Sequence, residues 1–322
     1  MGKLCSIPQN RDGRLDALKG IFIFLVVFGH LIRGETSASN NLYGVMHYYI
    51  YSIHMPVFIF ISGLLSKKRF EYKSIVSSLV LPYLIINIPI IITRIILNRF
   101  EIIDLITPWE ITWYVLTLAF CRLISNINTR CQRWIVLAMV ILTLAGTKVS
   151  APVWGVLSLG RTALLYPVFY FGKHIDLNKI KRFPLVYGWL LFVGCIVIQS
   201  MILIYNIVPI TWATHDYTDS IVNIAIKYLL FLSAVMATLG IYIIIPQKLC
   251  LLQKWEKNSM VVYFFHIFLC YAVQHFIPVF KVEYLFAVIM LSIMITMILS
   301  LERFNIIYTQ LMGKVSKVLR LS

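Results

Sequence analysis

The sequence predicts an all-α polytopic membrane protein, a bundle of about ten transmembrane helices with both termini in the cytoplasm. Three observations predict it. First, 60% of the 322 residues are hydrophobic and only 13% are charged, with a mean hydropathy of +0.85. A soluble chain carries roughly 25% charged residues, so there is too little polar sequence here to cover a soluble core. Second, a bilayer core of roughly 30 Å asks for about 20 apolar residues per helix. On that ruler the apolar segments fall at 17–35, 45–66, 75–97, 111–126, 134–147, 153–173, 184–206, 221–246, 259–278 and 283–302. The fifth is the shortest.

Third, the connecting segments alternate in charge. Basic residues precede the first segment (Lys3, Arg11, Arg14, Lys19) and follow the second (Lys67, Lys68, Arg69, Lys73), the fourth (Arg130, Arg133), the sixth (Lys173, Lys179, Lys181, Arg182) and the eighth (Lys248, Lys254, Lys257). They also close the chain (Arg303, Lys314, Lys317, Arg320). The connections between them carry Glu35, Glu101, Asp104, Glu110, Asp216 and Asp219. Basic loops stay in the cytoplasm. The alternation therefore fixes an even number of spans and retains the short fifth helix. Residues 1–322 read as a single integral-membrane domain with short cytoplasmic tails at about 1–16 and 303–322. The net charge of +16 is a matter of topology, and no nucleic-acid partner is expected.

No cleavable signal is expected, because the basic N-terminus leads into an apolar run without a small-residue cleavage site. Cys5, Cys121, Cys131, Cys195, Cys250 and Cys270 show no CxxC pair or metal spacing. Neither a disulfide framework nor a metal site is expected. Internal repeats are not evident.

Ionisable residues inside membrane segments point to sites. Depth, at 1.5 Å per helical residue, sorts them: His30 lies roughly 20 Å in, His54 and Arg161 roughly 18 Å, and His266 roughly 12 Å beyond Asn258. His30, His54 and Arg161 thus share one level. His47 and His266 are also consistent with structural histidines bonded to a carbonyl. His275, Arg94 and Lys227 lie near helix ends, where they can snorkel outward. An arginine cannot shed its charge, so Arg161 needs partners within the bundle.

Several segments then resemble one family. Arg14-Leu-Asp16-Ala-Leu-Lys19-Gly20, an apolar run and Gly29-His30 resemble the opening signature of the membrane-bound acyltransferase 3 family: a basic residue, ten residues, then histidine. Lys19 stands at the basic place, where many members carry arginine. His54-Met-Pro56-Val-Phe-Ile-Phe-Ile-Ser62-Gly63, Thr112-Trp113-Tyr-Val-Leu and Asn258-Ser259-Met-Val-Val-Tyr263-Phe-Phe-His266 resemble further family segments in order. Ser158-Leu-Gly-Arg161-Thr with Pro167-Val-Phe-Tyr-Phe-Gly172 resembles the branch of fucose 4-O-acetylase type.

The resemblance implies an enzyme that takes an acetyl group from cytoplasmic acetyl-CoA to a hydroxyl of a cell-surface or lipid-linked glycan, as in O-antigen or capsule modification. It places such a chain in a bacterial inner membrane. Acetyl-CoA would be a substrate, with no permanently bound cofactor. A homo-oligomer is compatible with the sequence.

On that reading Arg14 and Lys19 hold anionic phosphates at the mouth, with Asp16 pairing with one of them. Eleven residues of helix separate Lys19 from His30, roughly 16 Å, about the reach of a pantetheine arm. His30 is the candidate base or a transient acyl carrier, and Arg161 or His54 stabilises the developing oxyanion. Glu110 and Trp113 suit a sugar, Trp113 equally an interface anchor, and His266 and Asn258 complete the substrate-binding set. The competing reading is a transporter or flippase for a glycan or anionic metabolite. Carriers often show inverted repeats, which this sequence lacks.

Overall fold

A computed structural model describes residues 12–33, 42–96, 98, 100–108, 111–148, 154–205, 207, 220–277 and 282–319. Among them there are helices and turns and no strand. The principal helices are α1 (Gly13–Leu31), α2 (Leu42–Leu64), α3 (Tyr72–Ile96), α4 (Thr112–Ser125), α5 (Thr129–Ala145), α6 (Leu159–His174), α7 (Leu185–Ile204), α8 (Ile221–Ile244), α9 (Cys250–Lys257), α10 (Ser259–Phe276), α11 (Leu285–Leu299) and α12 (Glu302–Val318). A helix lies on each of the ten apolar segments.

Six of these helices are long and apolar enough to cross a membrane: α2, α3, α5 with its 3₁₀ extension to Lys148, α7, α8 and α10. A seventh is obtained if α11 and α12, bent by 51°, form one span. The other segments fall short for visible reasons. Helix α1 carries Arg14, Asp16 and Lys19 in its first two turns, and α4 and α6 have 14 and 16 residues. The protein is therefore a polytopic helical membrane protein, with six to seven helices of spanning length among the described residues. The segment expected as a C-terminal tail is helical as α12.

By its internal contacts the chain divides into two compact units. The first comprises Met1–Phe58, Asp176–Thr214 and Leu229–Ile306. In it α1 packs along α9, α10 and α11. Leu18, Phe22, Val27 and Leu31 are wholly buried, so beyond its charged first turns α1 buries apolar side chains on more than one face, as a central helix does. A Cβ at Gly20 would run into the Leu252 carbonyl, which lets α9 lie directly on α1. Helices α7 and α8 cross at a glycine pair: a Cβ on Gly188 would sit 3.0 Å from the Gly240 oxygen, and one on Gly240 2.7 Å from the Gly188 oxygen. Lipid is as apolar as leucine, so such close backbone approach carries much of helix association in a membrane.

The second unit comprises Ile59–Ile175, His215–Tyr228 and Ile307–Ser322. Here α6 packs against α4 and α5. It meets the end of α2 at a reciprocal contact, a Cβ on Gly63 colliding with the Phe169 carbonyl and one on Gly172 with the Phe60 carbonyl. Lys67 caps the C-terminus of α6, donating to the carbonyls of Gly172 (3.4 Å), Lys173 and Ile175 (2.6 Å), where the helix leaves its last acceptors unpaired.

Two expectations need correction. Lys227 does not snorkel outward: it is buried in the second unit at 5% exposure, because its position on α8 faces the protein. Cys250, at the start of α9, is disulfide-bonded. Its membership of a short helix off the membrane segments removes it from the apolar surroundings that keep Cys121, Cys195 and Cys270 buried and free.

Candidate functional site

A cluster of four histidines around Tyr51 forms the polar heart of the first unit. His47, Tyr51 and His54 lie at spacings of four and three on α2, which puts them on one helix face. His30 comes from the last turn of α1 and His266 from the middle of α10. The His30 and His266 rings are 4.9 Å apart between centroids. Tyr51 stacks on His47 at 3.8 Å and meets His54 edge-on at 4.7 Å. Its hydroxyl lies 3.2 Å from His30 Nδ1.

His47, His54 and His266 are buried at 1%, 2% and 0% exposure, whereas His30 is partly exposed. Helix α10 turns His266, Cys270 and Gln274 toward α1 at a repeat of four. Gln274 Nε2 donates to the carbonyls of His30 and Leu31, each at 2.9 Å, and fixes the end of α1.

The hydrogen bonds set the tautomers. His54 Nδ1 and His266 Nδ1 bond the carbonyls of Ile50 (2.8 Å) and Val262 (2.9 Å) in their own helices. A carbonyl only accepts, so both Nδ1 atoms carry hydrogen and both Nε2 atoms present lone pairs when the rings are neutral. His266 Nε2 and both ring nitrogens of His47 are buried without a hydrogen-bond partner among the described residues. An unpaired buried polar atom costs about 1–3 kcal/mol, a cost that a bound polar group or a water at these atoms would remove. Neutral His54 offers a lone pair there. It would stabilise an oxyanion only as the imidazolium, which narrows the role the sequence suggests for it.

The N-terminal end of α1 is a second polar assembly in the same unit. Asp12 caps the helix by accepting from the Arg14 N–H at 3.1 Å. Its other oxygen takes the Tyr242 hydroxyl at 2.6 Å and the Lys181 ammonium at 3.0 Å. Lys19 pairs with Glu256 of α9 at 2.6 Å, and Gln253 donates to the Gly13 carbonyl at 3.0 Å. Arg14 Nε is buried without a hydrogen-bond partner among the described residues. Asp16 is buried at 8% exposure.

Burial pushes the Asp12 carboxyl up. The bonds from Tyr242 and Lys181, the Lys181 charge and the Arg14 N–H outweigh it and hold the group below its ordinary value. A carboxyl lowered by folding stabilises the fold above its unfolded pKa and loses that contribution as pH falls through the folded one. The thermal midpoint of the detergent-solubilised protein is therefore expected to drop on acidification below about pH 4. Asp12→Asn should have a lower midpoint at neutral pH and a smaller acid-dependent drop; an unchanged drop would contradict this.

Arg161 and Trp113 sit together in the second unit, the guanidinium 4.6 Å above the indole. Both are partly exposed. Helix α6 enters through Leu157 and Ser158, with φ of 47° and 57°, a left-handed pair that costs non-glycine residues energy. Ser158 is held there by Thr117 at 2.8 Å. The turn at Gly160 is covered by the Trp154 ring, which a Cβ would strike.

Of the residues singled out from sequence, His30, His54 and His266 are thus brought together. Arg14, Asp16 and Lys19 share the first turns of α1, and Arg161 joins Trp113. Asn258 is not with the histidines. It lies two turns from His266, roughly 12 Å along the helix, with its amide donating to the Ser300 carbonyl at 2.5 Å. Glu110 lies outside the described residues. Sequence reasoning missed Tyr51, although the 47-51-54 spacing signals it, and Glu256, a carboxylate among the lysines of 248–257. Among the described residues no group of three or more His, Cys, Asp or Glu side chains is arranged to hold a metal ion.

Residues 12–301 match a family described as an acyltransferase domain, acyltransferase 3. The chain is also similar to nodulation protein NolL of Mesorhizobium japonicum, 40% identical over 68 residues, and to nodulation protein NolL of Sinorhizobium fredii, 39% identical over 67 residues. Each alignment covers 20% of this chain and 18% of the relative, so the chain spans about a fifth of the length of the curated relatives it matches. No solved structure matches.

Proposed function

Since this chain belongs to the acyltransferase 3 family, we propose that it transfers an acetyl group from cytoplasmic acetyl-CoA to a hydroxyl of a cell-surface or lipid-linked glycan. The observation that carries this reading is His30: a histidine of intermediate burial whose ring meets those of His266 and Tyr51 in the histidine cluster, roughly 16 Å along α1 from Lys19. In this proposal the bundle crosses the membrane ten times, with both termini cytoplasmic, in a bacterial inner membrane. The shorter or charged helices α1, α4 and α6 then complete the count within the protein interior. The branch is that of the fucose 4-O-acetylase type.

Acyl transfer needs a base for the incoming hydroxyl, stabilisation of the oxyanion and exclusion of water. His30 Nε2 removes the hydroxyl proton as the oxygen attacks the thioester carbonyl. The new C–O bond forms, the C–S bond breaks, and the departing thiolate takes the proton from the imidazolium. The buried His54 and His266 provide polar surroundings without bulk water. Arg14 and Lys19 bind the anionic part of the donor. Lys19, paired with the Glu256 carboxylate at 2.6 Å, would exchange that partner for a phosphate of the donor. In the second unit Trp113 and Arg161 offer an aromatic face and a guanidinium suited to a sugar.

Purified protein incubated with acetyl-CoA and a panel of lipid-linked sugars should release free CoA thiol in step with O-acetyl product. Movement of a sugar with no thioester consumed would instead support a carrier.

A further inference from the structure

We propose that Tyr51 is the positioning residue of His30: its hydroxyl accepts the His30 Nδ1 proton and so leaves the Nε2 lone pair directed at the reacting hydroxyl. The inference rests on His30 being the base proposed above.

The contrast with the other histidines carries the argument. His54, His266 and His174 each bond the carbonyl four residues earlier in their own helix, which locks the ring against its own backbone. His30 does not. Its ring bond crosses to a side chain of another helix. The main chain of His30 is already fixed by Gln274, so the remaining freedom is rotation of the imidazole, and the Tyr51 bond removes it.

Tyr51 is itself held for the task. Its ring lies on the buried His47 at an interplanar angle of 25°, and a Cβ on Gly29 would come within 3.1 Å of its Cε2. The glycine immediately before His30 thus leaves room for the phenol to reach it. A base oriented by a third group is the general form of an activated acyl-transfer site. Here the third group is a neutral phenol, which holds the ring in place without taking the proton; with its oxygen as the acceptor, the hydrogen sits on Nδ1 and Nε2 keeps its lone pair. When Nε2 gains the hydroxyl proton, the Nδ1–H bond to Tyr51 becomes charge-assisted and strengthens. When the thiolate takes that proton, the resting tautomer returns.

Tyr51→Phe keeps the ring and the stack and removes only the oxygen. With acetyl-CoA and an acceptor shown to be used by the wild type, kcat is expected to fall about 10- to 100-fold, as when an orienting partner is lost. The KM for acetyl-CoA should stay within about twofold, since the anion-binding end of α1 is roughly 16 Å away. Gly29→Ala, which keeps every cluster side chain but crowds Tyr51, should lower kcat in the same direction.

Independently of activity, the ¹⁵N shifts of the His30 imidazole should report a proton on Nδ1 in the wild type and a mixture of tautomers in Tyr51→Phe. Full kcat in Tyr51→Phe while His30→Ala is inactive would overturn the positioning role and leave the base intact. Full activity in His30→Ala would overturn the base reading itself. A wild-type His30 protonated on Nε2, with Nδ1 accepting from the phenol, would also overturn the inference.

Discussion

His30→Ala, at expression matched to the wild type, is expected to reduce O-acetylation of the surface glycan by about 10²- to 10⁴-fold, the usual contribution of a positioned general base. The fold should survive the change. His30 is not one of the fully buried residues of α1, and the helix is held by its backbone carbonyls on Gln274 and by the buried apolar residues around Phe22 and Val27. Loss of activity without loss of the folded protein therefore reads the chemistry. O-acetyl content of the glycan measures it directly, and an unchanged level would remove His30 from the mechanism. The same protein separates a base from an acyl carrier. With labelled acetyl-CoA and no acceptor, a carrier retains label on the wild-type chain and a base does not.

Gly172→Val is expected to destabilise the second unit by about 1–3 kcal/mol, the cost of inserting methyl groups into a close-packed contact. At this crossing the obstacle is the Phe60 carbonyl, a backbone group that no side-chain rotation moves aside. Gly63→Val should act alike, against the Phe169 carbonyl. Both substitutions separate the same pair of helices, so the double variant should cost less than the sum of the singles. Gly313→Ala provides the contrast, because nothing among the described residues lies within 4 Å of a Cβ there. It should leave the thermal midpoint unchanged or raise it, since glycine inside a helix is unfavourable. Equal effects at Gly172 and Gly313 would show that the crossing contributes no specific stability.

The fold was legible wherever hydropathy alone decides: each of the ten apolar segments is a helix, because the bilayer asks for the same pattern the eye reads. The ends were less legible. Helix α1 starts at Gly13 rather than near residue 17 because Asp12 caps it, a matter of one side chain rather than of composition. Helix α9 escaped notice because eight residues of mixed polarity between two apolar runs look like a loop. Its buried face, Trp255 and Glu256, shows only against α1.

The histidines could be picked out because an ionisable group in an apolar helix is costly. Tyr51 could not be picked out on that ground. An aromatic residue on a helix face is usually packing, and a role for its hydroxyl shows once His30 Nδ1 is found 3.2 Å from it. For Asn258 the motif suggested a substrate contact, and the structure adds a bond that the motif does not signal: its amide nitrogen ties the start of α10 to Ser300 at the α11–α12 bend.

The central claim is acyl transfer from a donor on one side of the membrane to an acceptor on the other. Proteoliposomes of known orientation, given acetyl-labelled CoA on one face and a lipid-linked glycan acceptor on the opposite face, test it most directly. The account predicts O-linked label on the acceptor, with one free CoA thiol per acetyl group. It predicts this only when the donor is on the face that carries the N-terminal end of α1. Translocation of the glycan with the thioester intact, or labelling that ignores the side of the donor, would contradict it.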